Sequence, residues 1–344
     1  AGIKNEDIYA AVFTGNTTML HFLLGLETES IAVSPFIPVT TRLNIFKSGL
    51  SGMSVDMNKN GAGVTFPGVS AYIGGDTVAA VLSSGMYGRE GTALLIDIGT
   101  NGEIVLGDKN GMFACSTAAG PAFEGANIKN GVGGVRGAID TVGPGPAFKY
   151  TTIGNASPVG ICGSGLIDAV ARLIDAGIID ETGRLADEEE AAGFGRNIEK
   201  RLAVIDGTRT FILVPEGENG ASGQIVITQK DIRELQNAKA AIAAGIETLI
   251  EVSGKTGGSV AKVYLAGGFG SNIKVESALK TGLLPRWAEG RIEAVGNAAG
   301  AGAAEGLLSA DMLDLAGNIG KSIRYVELSA RADFAEKYVD NMFF

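Results

Sequence analysis

Cysteine is nearly absent: Cys115 and Cys162 are the only two in 344 residues. Two thiolates cannot ligate a four-thiolate iron–sulfur cluster, and so few thiols fit a reducing compartment better than a disulfide framework. Positive charge is also scarce. Against 38 Asp and Glu stand 28 Lys and Arg, a net charge of −10. A nucleic-acid surface needs a basic stripe to release counterions, and none is present, so nucleic acid is excluded as a partner. The longest charge run, 187–190, is acidic and reads as a solvated helix face. No apolar run reaches the roughly 18 residues of a membrane-spanning helix. The first seven residues lack the basic and apolar segments of a signal peptide. A cytoplasmic protein without membrane contact is the expectation.

Apolar residues make up 45% of the chain, enough for a sizeable core, and glycine is abundant at 52 residues. The glycines follow no linker or collagen period. They cluster at the ends of apolar runs, where close backbone approach is useful. The pattern reads as mixed α/β with no internal repeat. Strands are expected at 8–14, 92–98, 103–106, 112–116 and 261–266, with an extended stretch at 34–40. Helices are expected at 19–24, 77–86 with Asp76 as N-cap, from 163–165 to about 176, at 231–252, and at 297–308. Residues 181–224 read as a polar surface insertion with one strand near 211–214. The strands at 92–98, 103–106 and 112–116 form a meander, its second turn marked by Asp108, Lys109, Asn110 and Gly111.

Four segments carry candidate chemistry. In the run from Leu94 to Glu103, a strand delivers the Asp97 carboxylate to a tight turn. Gly99 and Gly102 leave room for a phosphate, Thr100 and Asn101 offer short polar groups, and the turn offers N–H donors. A carboxylate so placed can hold Mg²⁺, usually through water. The bland alternative is a plain hairpin in which Asp97 satisfies the turn. In the run from Val263 to Asn272, a strand ends in Gly267, Gly268, Phe269 and Gly270, and a helix starts near Asn272. An adenine or ribose can lie flat on such glycines; a close strand–helix crossing would look the same. The runs 74–82 and 294–303 are small-residue helices able to cross at close range.

In this order the four segments resemble the ATPase superfamily of actin, the heat-shock chaperone ATPases and the sugar kinases. There the corresponding parts are a first crossing helix, the second phosphate loop, the adenosine loop and a second crossing helix. The resemblance implies an α/β fold with two ribonuclease-H-like lobes. The superfamily's first phosphate hairpin has no counterpart in residues 1–73, so the first lobe is expected to be incomplete. The organisation expected is 1–90 for the remainder of that lobe, 91–330 for the second nucleotide-binding lobe, and 331–344 for a C-terminal helix.

A narrower series runs through Thr14 to His21, Asp97 to Leu106, Ser116 to Ala126, Pro158 to Gly165, Thr228 to Gln236 and Asp340 to Phe344. It is similar to the C-terminal domain of the reductive activators of corrinoid-dependent enzymes. The resemblance implies ATP and Mg²⁺ as cofactors and a corrinoid protein as partner, with a homodimer left open. ATP hydrolysis would drive electron transfer from a [2Fe–2S] ferredoxin domain, absent from this chain, to a Co(II) corrinoid. Asp97 would hold the metal. Gly99, Thr100, Asn101, Gly102, Gly163, Ser164, Gly165, Gly267, Gly268, Phe269 and Gly270 would contact nucleotide. Glu124 would position water or Mg²⁺, unless it merely caps a helix start. Without the first phosphate loop, catalysis should suffer more than binding. A sugar- or acetate-type kinase and a non-catalytic docking module are the alternatives. Among single residues, His21 reads as a packed or surface histidine, both cysteines as buried and inert, Asp168 as solvent-facing, and Met342 to Phe344 as an anchored end.

Overall fold

The computed structural model describes residues 2–47 and 57–344. Residues 48–56, within the stretch read as the first lobe, lie outside the described residues. Strands β1 (Ala10–Phe13), β2 (Asn44–Lys47) and β3 (Ala62–Thr65) form a sheet in the order β1-β3-β2, with β1 parallel and β2 antiparallel to β3. Helix α1 (Thr17–Leu24) leaves β1 through Asn16, whose side chain accepts the N–H of Met19 at 2.9 Å. That bond satisfies one of the orphan donors of the first turn. Helix α2 (Gly75–Ser84) starts earlier than its sequence suggests. Gly74 is the N-cap and Asp76 lies in the first turn, accepting from the N–H of Thr77 at 2.8 Å. The cause is a backbone contact: Gly75 N–H donates to Gly15 O at 2.9 Å and pins the start of the helix to the end of β1.

Strands β4 (Ala93–Ile98), β5 (Gly102–Asp108) and β6 (Gly111–Thr117) make the expected meander. A second sheet, β7 (Ala138–Val142), β8 (Tyr150–Thr152) and β9 (Gly160–Ile161), leads into helix α3 (Gly163–Asp175). A third joins β10 (Leu202–Ile205), β11 (Thr208–Val214) and β12 (Ile225–Thr228). Residues 181–224 are therefore not a surface insertion. Phe211 and Leu213 alternate into the main core, Val214 joins them at a register shift, Leu185 and Ile198 pack there too, and Phe211 meets Phe148 edge-on at 4.9 Å. Polar residues on the outward strand face hide this in the sequence. Helix α4 (Gln229–Ser253) begins with a reciprocal cap between Thr228 and Asp231.

Further elements include β13 (Lys262–Ala266), the single turn α5 (Gly267–Gly270), β14 (Ile292–Gly296), α6 (Ala298–Leu308), α7 (Ala310–Ser322), β15 (Ile323–Tyr325) and α8 (Ala332–Asp340). They complete a six-stranded sheet in the order β14-β13-β4-β5-β6-β15. Its alternation is legible in β4. Leu94, Ile96 and Ile98 face one core with Ile242 and Ile246 of α4. Ala93 and Leu95 face a second core with Val78 and Val81 of α2, Ala298 of α6 and Ile319 of α7. α2 and α6 cross where Gly302 packs on the carbonyl of Ala79, and Ser83 Oγ donates to Ala298 O at 2.8 Å. A side chain at position 302 would collide with that carbonyl, so the crossing requires glycine there. The chain is an α/β protein of the actin, sugar-kinase and heat-shock ATPase type. Among the described residues no helix is long and apolar enough to cross a membrane.

One single-residue expectation changes and another holds. Asp168 is buried, not solvent-facing. It accepts from Val142 N–H at 3.1 Å and pairs with Lys274 at 2.6 Å, tying α3 to its neighbours. The last residues are anchored: Gln236 donates to Met342 O at 2.6 Å, Lys239 to Phe343 O, and Phe344 N–H to Glu181 O at 2.9 Å.

Candidate functional site

Strand alternation decides where Asp97 points. It shares a face with Leu95, toward α2, and in the antiparallel register it sits opposite Glu103 of β5. Asp76, in the first turn of α2, completes a group of three carboxylates. Burial, then the charge of Asp76, pushes Asp97 up to about 6. Burial, then Asp76 and Asp97, pushes Glu103 up to about 8, although Ser116 donates to it at 3.3 Å. Asp76 is also raised by burial. Among the described residues no lysine or arginine offsets the three, so a cation entering here would relieve their mutual repulsion. Among the described residues no three His, Cys, Asp or Glu side chains are placed to hold a metal directly. An ion bound by one carboxylate through water, with the rest of its shell supplied by phosphates, suits this arrangement.

The turn after Asp97 and the turn after β13 meet. A Cβ added to Gly267 would lie 2.6 Å from Asp97 Oδ1, and Gly267 has φ +85, so glycine is required there on both counts. The single helical turn Gly267–Gly270 comes before Asn272, not from it; Asn272 instead donates its side-chain amide to Gly268 O at 2.8 Å. Gly268 has open space on its Cβ side, and Gly99 nearly so. A Cβ added to Gly270 would lie 3.3 Å from Leu265 Cβ, and one added to Gly102 would meet Thr117 and Ile242. These two glycines serve packing, whereas Gly99 and Gly268 border free space.

A short 3-10 turn, Pro121–Glu124, closes the third side. Thr100 Oγ1 reaches both carboxylate oxygens of Glu124, at 2.9 and 2.8 Å. Phe123 is buried and stacks on Phe269, centroids 4.7 Å apart and 27° between planes. Asn101 is exposed at the tip of the hairpin. Gly163, Ser164 and Gly165 lie one layer behind. They are buried; Gly163 presses on the backbone of Phe123 and Gly165 on that of Ile139, while Ser164 Oγ donates to Asp140 O at 3.1 Å.

Sequence reasoning missed Glu103, Asp76 and Phe123 as parts of this site. Glu103 had a readable signal: a hairpin closing on Gly99 to Asn101 must set residue 103 opposite residue 97. Asp76 was absorbed by its reading as a cap, and Phe123 by its ordinary apolar character. The other candidates stand apart. His21 is buried with Nδ1 2.8 Å from Thr17 O, and Nε2 accepts from Val39 N–H at 3.1 Å. That pairing leaves the proton on Nδ1 and makes His21 a neutral packing residue. Cys115 and Cys162 are both buried, and burial pushes the Cys115 thiol far up.

Comparison with known proteins bears on the same elements. Residues 1–89 match the RACo middle region, and residues 91–344 match the C-terminal domain of RACo, the ASKHA domain. The corrinoid activation enzyme RamQ of Eubacterium limosum is 37% identical over 350 residues, covering 100% of this chain and 57% of that protein. The [Co(II) methylated amine-specific corrinoid protein] reductase of Methanosarcina barkeri is 28% identical over 280 residues, covering 75% of this chain and 46% of that protein. A solved structure of a reductive activator for corrinoid,iron-sulfur protein superposes with a TM-score of 0.89 at 36% identity, covering 100% of this chain and 54% of its own. The chain thus spans about half the length of these relatives. With one match over the first 89 residues and the other over the rest, the chain belongs to the RACo family of reductive corrinoid activators and carries its middle region and C-terminal ASKHA domain.

Proposed function

We propose that this chain is the nucleotide-binding part of a cytoplasmic reductive activase. Mg·ATP binding and slow hydrolysis in the cleft would drive one-electron reduction of a Co(II) corrinoid to Co(I) in a partner corrinoid protein. The electron would come from a [2Fe–2S] group carried outside this chain. The observation that carries the reading is the meeting of Asp97 with Gly267, because it brings a metal-competent carboxylate and a side-chain-free surface into one cleft.

The roles follow from what each group can offer. The adenosine would lie on Gly267, Gly268 and Phe269. The phosphates would take N–H donors of the turn at Gly99 and Gly102, the Thr100 hydroxyl and the Asn101 amide. Asp97 would orient the water shell of Mg²⁺, which when bound neutralises charge on the terminal phosphates. Glu124 would hold the attacking water in line, since phosphoryl transfer depends on positioning and charge stabilisation. Gly163, Ser164 and Gly165 would support the site from behind, through Phe123.

The test uses the full-length protein with its reduced iron–sulfur group and a Co(II) corrinoid protein. Formation of Co(I) should require ATP and be lost in Asp97→Ala, while reduction of the iron–sulfur group is unchanged. Equal Co(I) formation without nucleotide would overturn the reading.

A further inference from the structure

A hollow whose lining does not include Gly267 lies beside the segments around Phe36 and Tyr72. It has a volume of about 590 Å³ and runs between residues 35–42 and 69–72 on one side and Tyr325 and Glu327 on the other. A smaller hollow of about 330 Å³ continues it past Phe36, Tyr72, Tyr325 and Glu327 as far as Asn101 and Ser116. Together they fall in the range of small-molecule sites, roughly 300–1,000 Å³.

The walls have a consistent chemistry. Phe36 meets Tyr72 edge-on, with centroids 5.4 Å apart and 62° between planes. Phe36 takes φ 57, a left-handed backbone that costs a non-glycine residue about 1–2 kcal/mol, so its ring is held there against a local preference. Tyr72 is nonetheless 39% exposed, an aromatic face open to the hollow. Glu327 accepts from Tyr325 OH at 3.0 Å, Ser329 N–H at 3.1 Å and Ser329 Oγ at 2.8 Å. All three donors are neutral, so the negative charge is oriented but not cancelled. Burial works against that charge, yet the Ser329 and Tyr325 bonds hold Glu327 below the usual carboxylate range. Burial, with Glu327 beside them, keeps both phenols neutral. An anionic carboxylate among neutral aromatic rings gives a region of negative potential that suits an organic cation.

We propose that this hollow binds a small organic ammonium ion, held by the rings of Phe36, Tyr72 and Tyr325 and by the carboxylate of Glu327. Arg42 is the opposing charge. It lines the larger hollow and two neighbouring hollows beside Gly68, but not the smaller one, where Phe36, Tyr72, Tyr325 and Glu327 continue toward Asn101. The ligand therefore occupies the smaller hollow. It would touch residues 36 and 72 on one wall and 325 and 327 on the other, and so tie the two walls together. The proposal does not depend on a nucleotide occupying the Asp97 site.

The experiment is a titration of the full-length protein with tetramethylammonium at constant ionic strength, followed by saturation-transfer NMR, with tert-butanol as a neutral probe of similar size. Saturable tetramethylammonium binding is expected, with tert-butanol at least about tenfold weaker and Tyr72→Leu or Glu327→Gln each weakening the cation by roughly tenfold. Tyr72 is partly exposed and Glu327→Gln keeps an acceptor, so both variants should melt as the wild type does. Arg42→Ala should leave binding unchanged or strengthen it. Three results would overturn the proposal: no saturable binding in the wild type, equal binding of tert-butanol, or loss of binding in Arg42→Ala, since removing a positive charge cannot weaken a cation held by Glu327.

Discussion

The hydroxyl of Thr100 stands 2.9 and 2.8 Å from the two carboxylate oxygens of Glu124. One hydroxyl carries one proton, so it serves one oxygen at a time, and a phosphate is a competing acceptor. Thr100→Val should therefore weaken ATP and ADP about tenfold, the loss of one hydrogen bond to a charged group, and leave adenosine unaffected. Glu124→Gln should keep nucleotide affinity and slow hydrolysis by about a hundredfold, the low end for a positioned acid–base group. Calorimetric affinities and single-turnover hydrolysis separate the two roles. Equal weakening of adenosine by Thr100→Val would make Thr100 a structural residue of the turn.

Asp97 should carry the metal-dependent part of nucleotide binding. A ligand at 100 times its dissociation constant adds about 2.7 kcal/mol. For a chain of 344 residues each kcal/mol moves the melting temperature by roughly 2 °C, so the shift is on the order of 5 °C. In Asp97→Ala the Mg·ATP shift should fall to that of ATP without metal, while the adenosine shift survives. Identical Mg·ATP shifts in wild type and variant would leave Asp97 only the task of closing the hairpin.

Stability should fall as pH rises through the titrations of Asp97 and Glu103. Their folded-state values, about 6 and about 8, lie above the unfolded range near 4. The native state therefore binds more protons than the unfolded state between those limits. The stabilisation is fully present below about pH 4 and is lost on the way to pH 8, at up to about 1.4 kcal/mol per pH unit for each proton. Denaturation curves from pH 5 to pH 9 should show this slope, and Glu103→Gln should flatten its upper part. Mg²⁺ should recover stability most at high pH. A slope unchanged in Glu103→Gln would show that Glu103 does not hold its proton above neutrality.

The crossing of α2 and α6 makes a sharp contrast between two glycines. Gly302 meets the carbonyl of Ala79, so Gly302→Ala should destabilise by about 1–3 kcal/mol through overpacking. Gly317, in α7, has open space on its Cβ side, so Gly317→Ala should stabilise by up to about 1 kcal/mol through helix propensity. Urea denaturation of the two variants reads both signs. Equal effects would mean that the helices part to accommodate a methyl group.

How much of this was legible depended on whether the signal was local. The meander, the Thr228 cap and the crossing helices follow from residues adjacent in sequence or on one helix face. The start of α2 at Gly75 was not, because a carbonyl sixty residues upstream fixes it. The strands after residue 201 alternate apolar and polar side chains, and their partner β12 follows only after a polar stretch, so the segment looked like a surface excursion. Within the site, Asp97 and the Gly267 turn were legible because each closes an apolar strand. That the two turns face one cleft was expected from the order of the segments in the superfamily; their direct contact was not, since it joins residues 170 positions apart through the parallel pairing of β13 with β4.

Phe123 joins the two halves of the site, and its removal should be felt equally by every ligand that carries adenosine. Its ring stacks on Phe269 at 4.7 Å, its backbone is pressed by Gly163 at the start of α3, and the next residue is Glu124. A stacked aromatic pair is worth about 0.5–1.5 kcal/mol beyond its buried area. Phe123→Leu keeps an apolar side chain of smaller size, so the fold should survive with a loss of roughly 1–2 kcal/mol. Without the stacking partner, Phe269 and the Gly267–Gly268 surface are no longer held in one position. Adenosine, ADP and ATP should then weaken by the same factor, about three- to tenfold. That uniformity separates Phe123 from Thr100, whose loss should spare adenosine. Phe269→Leu should reproduce the Phe123→Leu effect, and the double variant should be little worse than either single one, because both remove the same contact. Additive losses in the double variant would show that the two rings act independently. Loss of ATP affinity with adenosine unchanged would place the role of Phe123 at Glu124 instead.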